Sequence, residues 1–253
     1  MLLTNDKYYI IRIGDFGTNA NTKIYYCLFS IGLCLEEYIT NHSVDCFIIL
    51  SYSTLIWTFI EFILHISNTR NIKPMFFYYN NNNNNVLVPR YLGIFLQGFQ
   101  EGGCITTIGL YFGDRIFNFY NIIFLHLLIT FIVINVCNKT KTKKHTSIRQ
   151  VNTNGSLLIM ASITLYDIKS LYENPLHLYR QLSMLFVMIY VSFFWTIIVW
   201  YKGFREVVVY IKDQNDQYII KKSNLSDTIK VLAYDIIFEI GMAYLFFYNF
   251  LIK

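Results

Sequence analysis

Residues 91–137 read YLGIFLQGFQEGGCITTIGLYFGDRIFNFYNIIFLHLLITFIVINVC, in which two apolar blocks meet at the charged dipeptide Asp114-Arg115. Each block has about 20 residues, the length that an α-helix needs to cross the hydrocarbon core of a bilayer. Because so few residues separate the blocks, we expect a tight antiparallel pair of helices. Small residues let helix backbones approach closely, so the glycines of the first block predict a central position for it. These glycines are Gly93, Gly98, Gly102, Gly109 and Gly113.

Similar apolar blocks lie on both sides of this pair. The whole chain is 55% hydrophobic and 15% charged, whereas soluble domains carry about 25% charged residues. The sequence therefore predicts an all-α fold: one polytopic membrane helical bundle that spans residues 1–253. The seven predicted transmembrane helices are 24–40, 46–66, 91–113, 116–137, 156–172, 181–201 and 229–252.

The positions of lysine and arginine predict the orientation of this bundle. Cytosolic loops are enriched in both residues. If all seven blocks cross, sixteen of the 21 lysines and arginines lie in the N-terminal segment and in alternate loops. Arg115, Arg180 and Lys253 lie on the opposite side. Leaving out either weak span, 24–40 or 156–172, would invert the later blocks and remove this asymmetry. We therefore expect the N-terminus in the cytosol and the C-terminus outside.

Other classes of protein fit the sequence poorly. The net charge of +5 comes from loops beside apolar blocks, so it indicates membrane orientation and not nucleic acid binding. The motifs HExxH, GxSxG, the Walker loop and GxGxxG do not occur. The five cysteines form no CxxC pair, so we interpret them as small buried residues and not as a disulfide framework or a thiolate metal site.

Two loops have features of their own. Residues 207–222 read VVVYIK-DQND-QYIIKK, in which two β-branched and aromatic runs flank a polar turn, a pattern typical of a β-hairpin. The segment from Tyr8 to Ile13 could pair with this cytosolic hairpin. An amphipathic extension of the sixth span is the alternative. The Asn run at 80–85 predicts a flexible cytosolic loop.

Ionisable residues inside the predicted spans are the candidates for a functional site. The helical rise places Glu101, His126 and Glu239 near the middle of the bilayer, and Glu61 and Asp235 in a second layer nearer the cytosol. His65 lies four residues after Glu61 and shares its face. We expect no lysine or arginine at these depths. The full set of candidates is Glu61, His65, Gln97, Gln100, Glu101, His126, Asp235 and Glu239.

Carboxylates in hydrocarbon must be protonated, hydrogen-bonded or bound to a cation, and each state suggests a different function. In the first hypothesis, a divalent metal (zinc or iron) is held in a membrane enzyme that acts on a lipid. In the second, the same groups serve a transporter or channel for protons, cations or a small solute. In the third, the protein is a non-catalytic membrane scaffold. The expected partners are the bilayer itself and a lipid or small cation, and the metal ligands would be Glu61, His65, Glu101, His126 and Glu239.

Overall fold

Seven long helices dominate the computed structural model, which describes residues 6–14, 16–67, 70–72, 74–79, 84–139, 145–212 and 218–252. Each helix coincides with one predicted span. The first, second, fourth, fifth and sixth are α1 (Ala20–Asn41), α2 (Asp45–Ile66), α4 (Phe119–Lys139), α5 (Asn154–Glu173) and α6 (Leu178–Tyr201).

The third and seventh helices each contain a π-helical segment. Helix α3 runs over residues 90–113 and consists of Arg90–Gly98, the π-helical Phe99–Cys104 and Ile105–Gly113. Helix α7 (Leu225–Leu251) consists of Leu225–Tyr234, the π-helical Asp235–Met242 and Ala243–Leu251. Segments of this kind are rare and are found frequently at functional sites.

Polar side chains define where three of the helices begin. Asn19, Thr153 and Asn224 precede α1, α5 and α7, and each accepts a hydrogen bond from the backbone N–H three residues later. This bond satisfies a donor that the first turn of a helix leaves without a partner. The same three residues thus explain why these helices begin a few residues before the predicted spans.

Short strands lie in the N-terminal segment and in alternate connections. They are β1 (Lys7–Ile13), β2 (Arg70–Ile72), β3 (Phe76–Tyr79), β4 (Asn84–Leu87), β5 (His145–Gln150), β6 (Arg205–Lys212) and β7 (Tyr218–Lys222). Strands β6 and β7 pair with each other, and β1 pairs with β6. The predicted hairpin and its pairing with the N-terminal segment are therefore confirmed.

Five of the strands form one antiparallel sheet in the order β2-β5-β1-β6-β7. These strands come from the N-terminal segment and from the connections α2–α3, α4–α5 and α6–α7. Because the sheet gathers these segments, they all lie at one end of the bundle, so successive helices run alternately away from the sheet and back to it. The opposite end, here called the far end, holds the three short connections 42–44, 114–118 and 174–177.

One face of the sheet packs against the bundle. Tyr8 and Ile10 of β1 alternate toward this face, beside Val207 and Val209 of β6. They form an apolar core with residues of α5 and α7, which include Met160, Val231 and Leu232. The sheet is therefore held against the bundle by an apolar layer of its own.

The glycines of α3 allow its close contact with α2, as predicted. A Cβ atom at Gly102 would lie 2.5 Å from Trp57 Cβ and 2.6 Å from the Ser53 carbonyl oxygen. Gly98 and Gly103 are similarly close to α2. A side chain at these positions would force the two helices apart.

Four helices are long and apolar enough to cross a membrane: α2, α4, α6 and α7. Large apolar side chains face outward from them, among them Phe59, Phe131 and Phe193, whose exposed fractions are 54% or more. Such a surface suits lipid and not water. The chain thus has the helices of a membrane protein together with a small sheet.

The Asn run is only partly described. Residues 80–83 lie outside the described residues, so the predicted flexible loop is not tested there. Asn84 and Asn85, however, begin strand β4, which pairs with β3. The sequence did not indicate this pairing, because a partner strand cannot be recognised from a run of one amino acid, and the flexibility of the run stays a prediction.

Candidate functional site

Three arginines project from the face of the sheet that meets the bundle. Arg12 of β1 lies opposite Arg205 of β6, and Ile10 of β1 lies opposite Arg149 of β5. Because directly opposed residues and every second residue of a strand share a face, all three guanidinium groups leave the sheet on the side of Ile10. They reach carboxylates in α3 and α7.

Arg12 binds the carboxylate of the π-helical segment in α3. Its Nη1 atom donates to Glu101 Oε1 at 2.7 Å. The other oxygen, Glu101 Oε2, accepts a bond from Trp57 Nε1 of α2 at 3.4 Å. Glu101 therefore joins the sheet, α2 and α3.

Arg149 and Arg205 bind the two carboxylates of the π-helical segment in α7. Arg149 Nη2 donates to Asp235 Oδ1 at 2.8 Å and to Glu239 Oε2 at 2.5 Å. Arg205 Nη1 donates to Asp235 Oδ2 at 2.8 Å and to Thr196 Oγ1 of α6 at 2.9 Å. Two guanidinium groups thus share two carboxylates, and Asp235 accepts from both of them.

Burial makes these pairs electrostatically strong. The side chains of Arg205 and Asp235 are only 6% and 5% exposed. Burial lowers the pKa of the Arg205 guanidinium, while the negative charge of Asp235 acts in the opposite direction. An arginine remains protonated at physiological pH even so, and Asp235 supplies the negative charge that its burial requires.

A lysine occupies a further buried position beside α3. Lys23 of α1 is 1% exposed, and its Nζ atom donates to Gln97 Oε1 at 2.5 Å and to Gln100 Oε1 at 2.6 Å. Glu61 of α2 is fully buried. The expectation that no lysine or arginine lies at the depth of the carboxylates is therefore wrong, because the sheet and the start of α1 deliver four of them.

The two predicted histidines lie on α2 and α4. His126 is exposed on α4, where its Nδ1 atom is 2.5 Å from the hydroxyl oxygen of Tyr190 in α6. His65 lies in the last turn of α2 and is half-buried. In the part of the chain that the structure describes, no group of three or more His, Cys, Asp or Glu residues is placed to hold a metal ion. The five predicted metal ligands are therefore not brought together.

A small, shallow cleft opens beside Arg12. It has room for about one water molecule and is lined by Arg12, Gly17, Gln97, Thr146 and Ser147. Thr146 Oγ1 donates to the Arg12 carbonyl oxygen at 3.2 Å. The Arg12 guanidinium, the Ser147 hydroxyl and the Gln97 amide group supply the hydrogen-bond donors of this lining.

A second polar network, at the far end, was missed entirely. Asn249 of α7 donates to Asp167 of α5, and Gln181 of α6 donates to Asn249, both at 2.7 Å. All three side chains are at most 1% exposed. Asp167 was visible in the sequence as a charge that weakened the fifth span, but nothing in the spacing indicated its partners.

The far end also contains partly buried ion pairs. Arg180 binds Asp45 and Asp114 at 2.5 and 2.7 Å. Arg115 binds Glu37 at 2.5 Å and Glu36 at 3.0 Å. The two described arginines of the far end thus each have two acidic partners.

Comparisons with known proteins give no relatives: no family model, no curated protein and no solved structure matches this chain.

Proposed function

We propose that this chain is a seven-span membrane transporter that couples the movement of a small anion to that of protons. The crossing number is supported by a parity argument. All segments of a hydrogen-bonded sheet lie on one side of a membrane, so an even number of crossings must separate β1 from β2. Since α2 is suited to cross, α1 crosses too.

The same argument applies to the other two helix pairs. Strand β5 pairs with β1, so an even number of crossings separates them, and α4 is suited to cross. Helix α3 therefore crosses as well. Strand β6 also pairs with β1, and α6 is suited to cross, so α5 crosses with it. Helix α7 then places the C-terminus on the side opposite the sheet.

The charge distribution supports a cytosolic sheet. The sheet side holds sixteen lysines and arginines by sequence, and such an excess is typical of cytosolic loops. The acidic partners of Arg115 and Arg180 fit the opposite, non-cytosolic side. We therefore propose that the N-terminus and the sheet are cytosolic.

The observation that carries the transport proposal is the shared pair of carboxylates in α7. Asp235 and Glu239 lie on a π-helical segment and share Arg149. A proton taken up by Glu239 would remove one of the two charges that hold Arg149. The guanidinium would then have a vacant donor for an anion. Proton binding and anion binding would in this way favour each other.

The neighbouring cleft supports an anion as the cargo. Its lining includes the Arg12 guanidinium group and the Ser147 hydroxyl, which are hydrogen-bond donors. Guanidinium groups bind anions through several parallel hydrogen bonds. The cleft lies on the sheet side, where an anion would enter from the cytosol or leave into it.

The competing hypotheses receive less support. A metal-dependent enzyme needs converging ligands, and the described part of the chain does not provide them. A purely structural role explains the network poorly, because a buried ion pair usually stabilises a protein no more than apolar residues of equal volume. A network placed in two π-helical segments suits a function that rearranges these helices.

The test is proton uptake by proteoliposomes that contain a pH-sensitive dye. An inward gradient of chloride or inorganic phosphate should acidify the lumen when wild-type protein is present. Glu239→Gln, which keeps the shape of the side chain but cannot exchange a proton, should reduce this uptake at least tenfold. Glu173→Gln, at an exposed ion pair of α5, is the matched control and should transport normally. Equal uptake by wild type and empty liposomes with every anion would refute the proposal.

A further inference from the structure

We propose that Asp167, together with Gln181 and Asn249, forms a proton-binding site near the far end of the bundle. This site is separate from the three arginines of the sheet and does not depend on the transport proposal. It joins α5, α6 and α7, which each contribute one side chain.

The carboxyl group of Asp167 is buried without a counter-ion. Its side chain is fully buried, and Asn249 Nδ2 donates to its Oδ1 atom at 2.7 Å. Within the described part of the chain, no lysine, arginine or histidine forms an ion pair with it, and its buried Oδ2 atom has no hydrogen-bond partner. An ionised carboxylate in these surroundings would be very costly.

Gln181 contributes a second acceptor atom to the same network that is buried without a hydrogen-bond partner. Gln181 Nε2 donates to Asn249 Oδ1 at 2.7 Å and lies 3.4 Å from Ser170 Oγ. Gln181 Oε1, in contrast, is buried without a donor among the described residues. The network therefore has two acceptor atoms too many. A proton on Asp167 Oδ2 converts one of them into a donor.

The surrounding charged and titratable groups have other partners. On α5 itself, Lys169 pairs with Glu173, and both side chains are exposed by half or more. On α6, Arg180 binds Asp45 and Asp114. These pairs leave the proton as the charge that neutralises Asp167.

Two further titratable groups, Tyr248 and His177, lie near this end of the bundle. On α7, Tyr248 precedes Asn249, and its hydroxyl oxygen is 3.3 Å from Nδ1 of His177. His177 is exposed and directly precedes α6. Tyr248 and His177 are hydrogen-bonded to each other. Neither of them neutralises Asp167.

The position of the site allows exchange with water of the far side. Gln181 lies three residues after the start of α6, and Asn249 lies two residues before the end of α7. At 1.5 Å per residue, both are within about one helical turn of the far end. The proton would pass between bulk water and Asp167 Oδ2, and no other bond would form or break.

Infrared spectroscopy of the purified full-length protein tests this proposal. At neutral pH the wild type should show the C=O stretching band of a protonated carboxylic acid, and this band should shift in D₂O. Asp167→Asn, which preserves the size and neutrality of the side chain, should remove one such band and leave the melting temperature nearly unchanged. Glu173→Gln is the control and should keep the band.

Two results would overturn the proposal. The first is an identical carboxylic acid region in wild type and Asp167→Asn. The second is a wild-type band that disappears when NaCl is added at constant pH, which would indicate a sodium site instead. Should Asp167→Asn fail to fold, Asn249→Leu retains the acid and removes the donor that binds its Oδ1 atom. The band should then shift, and an unchanged band would also contradict the proposal.

Discussion

Arg205 shows what a single buried charge requires in this protein. Its guanidinium group is 6% exposed and donates to Asp235 and to Thr196. Removing one partner of such a pair leaves an uncompensated charge, whereas removing both partners leaves none. The network should therefore tolerate a double substitution better than a single one.

We predict this asymmetry for Asp235→Asn and Arg205→Met. Asp235→Asn should lower the free energy of unfolding in mixed micelles by about 3–5 kcal/mol, because it leaves two guanidinium groups with less negative charge. Arg205→Met should cost less, since Arg149 still binds Asp235. The double variant should be more stable than the sum of the single effects predicts.

The control for this cycle is Lys169→Gln, at the exposed pair with Glu173. Exposed pairs contribute about 0–1 kcal/mol, so this variant should unfold nearly as the wild type does. Strict additivity of Asp235→Asn and Arg205→Met would mean that the two side chains do not interact in the folded protein.

At the scale of residues, the sequence indicated the acidic residues and glutamines of the candidate site but not their basic partners. The acidic residues and glutamines were recognisable because they interrupt apolar blocks, as Glu101 and Glu239 do. Their basic partners were not, because Arg12, Arg149 and Arg205 lie in short polar segments that resemble ordinary loops. Only strand register brings them to one face, and register depends on pairing between segments far apart in the chain.

At the scale of elements, α2 and α3 are in such close contact that added side chains at the α3 glycines would clash with α2. The π-helical segment of α3 begins directly after Gly98 and contains Gly102 and Gly103. The backbone of α2 lies against these glycines. The same segment carries Glu101, so the close contact also positions the carboxylate that Arg12 binds.

We predict that Gly102→Ala destabilises the protein by about 1–3 kcal/mol or more. The new Cβ atom would lie 2.6 Å from the Ser53 carbonyl oxygen, and overpacking of this kind forces backbone shifts. Gly32→Ala is the matched control in α1, because no atom lies within 4 Å of its added Cβ. Thermal unfolding in detergent measures both variants, and equal melting temperatures would show that α2 and α3 are not in close contact.

Helices and the hairpin were predictable at the scale of elements, but the π-helical segments were not. Apolar length located each helix, and the alternation of β-branched residues in 207–222 indicated the hairpin. A π-helical segment changes only the hydrogen-bond pattern of a continuous helix. It leaves no periodic signal in a sequence as short as Phe99–Cys104.

At the scale of the whole molecule, the sheet is the basis for our proposal of how many helices cross the membrane. Its strands come from segments on both sides of three helix pairs, and their hydrogen bonds place all of these segments on one side. Apolar length alone selects four helices. The remaining three carry more polar residues, for example Lys23 in α1 and Asp167 in α5, because these side chains are buried inside the bundle. A count from hydropathy therefore selects fewer helices than the seven crossings that we propose.

The account depends most directly on the crossing of α3 and α5, and cysteine accessibility tests it. In a variant without natural cysteines, single cysteines would replace His145 and Leu176, which flank α5, or Val86 and Phe117, which flank α3. All four residues are exposed. A membrane-impermeant maleimide would then be applied to intact cells and to permeabilised ones.

Seven crossings with a cytosolic sheet predict a clear pattern. Leu176→Cys and Phe117→Cys should react in intact cells, and His145→Cys and Val86→Cys only after permeabilisation. If only the four most apolar helices crossed, the two members of each pair would react on the same side. That result would contradict the seven-span topology and, with it, the placement of the arginine-bearing sheet on one side of the membrane.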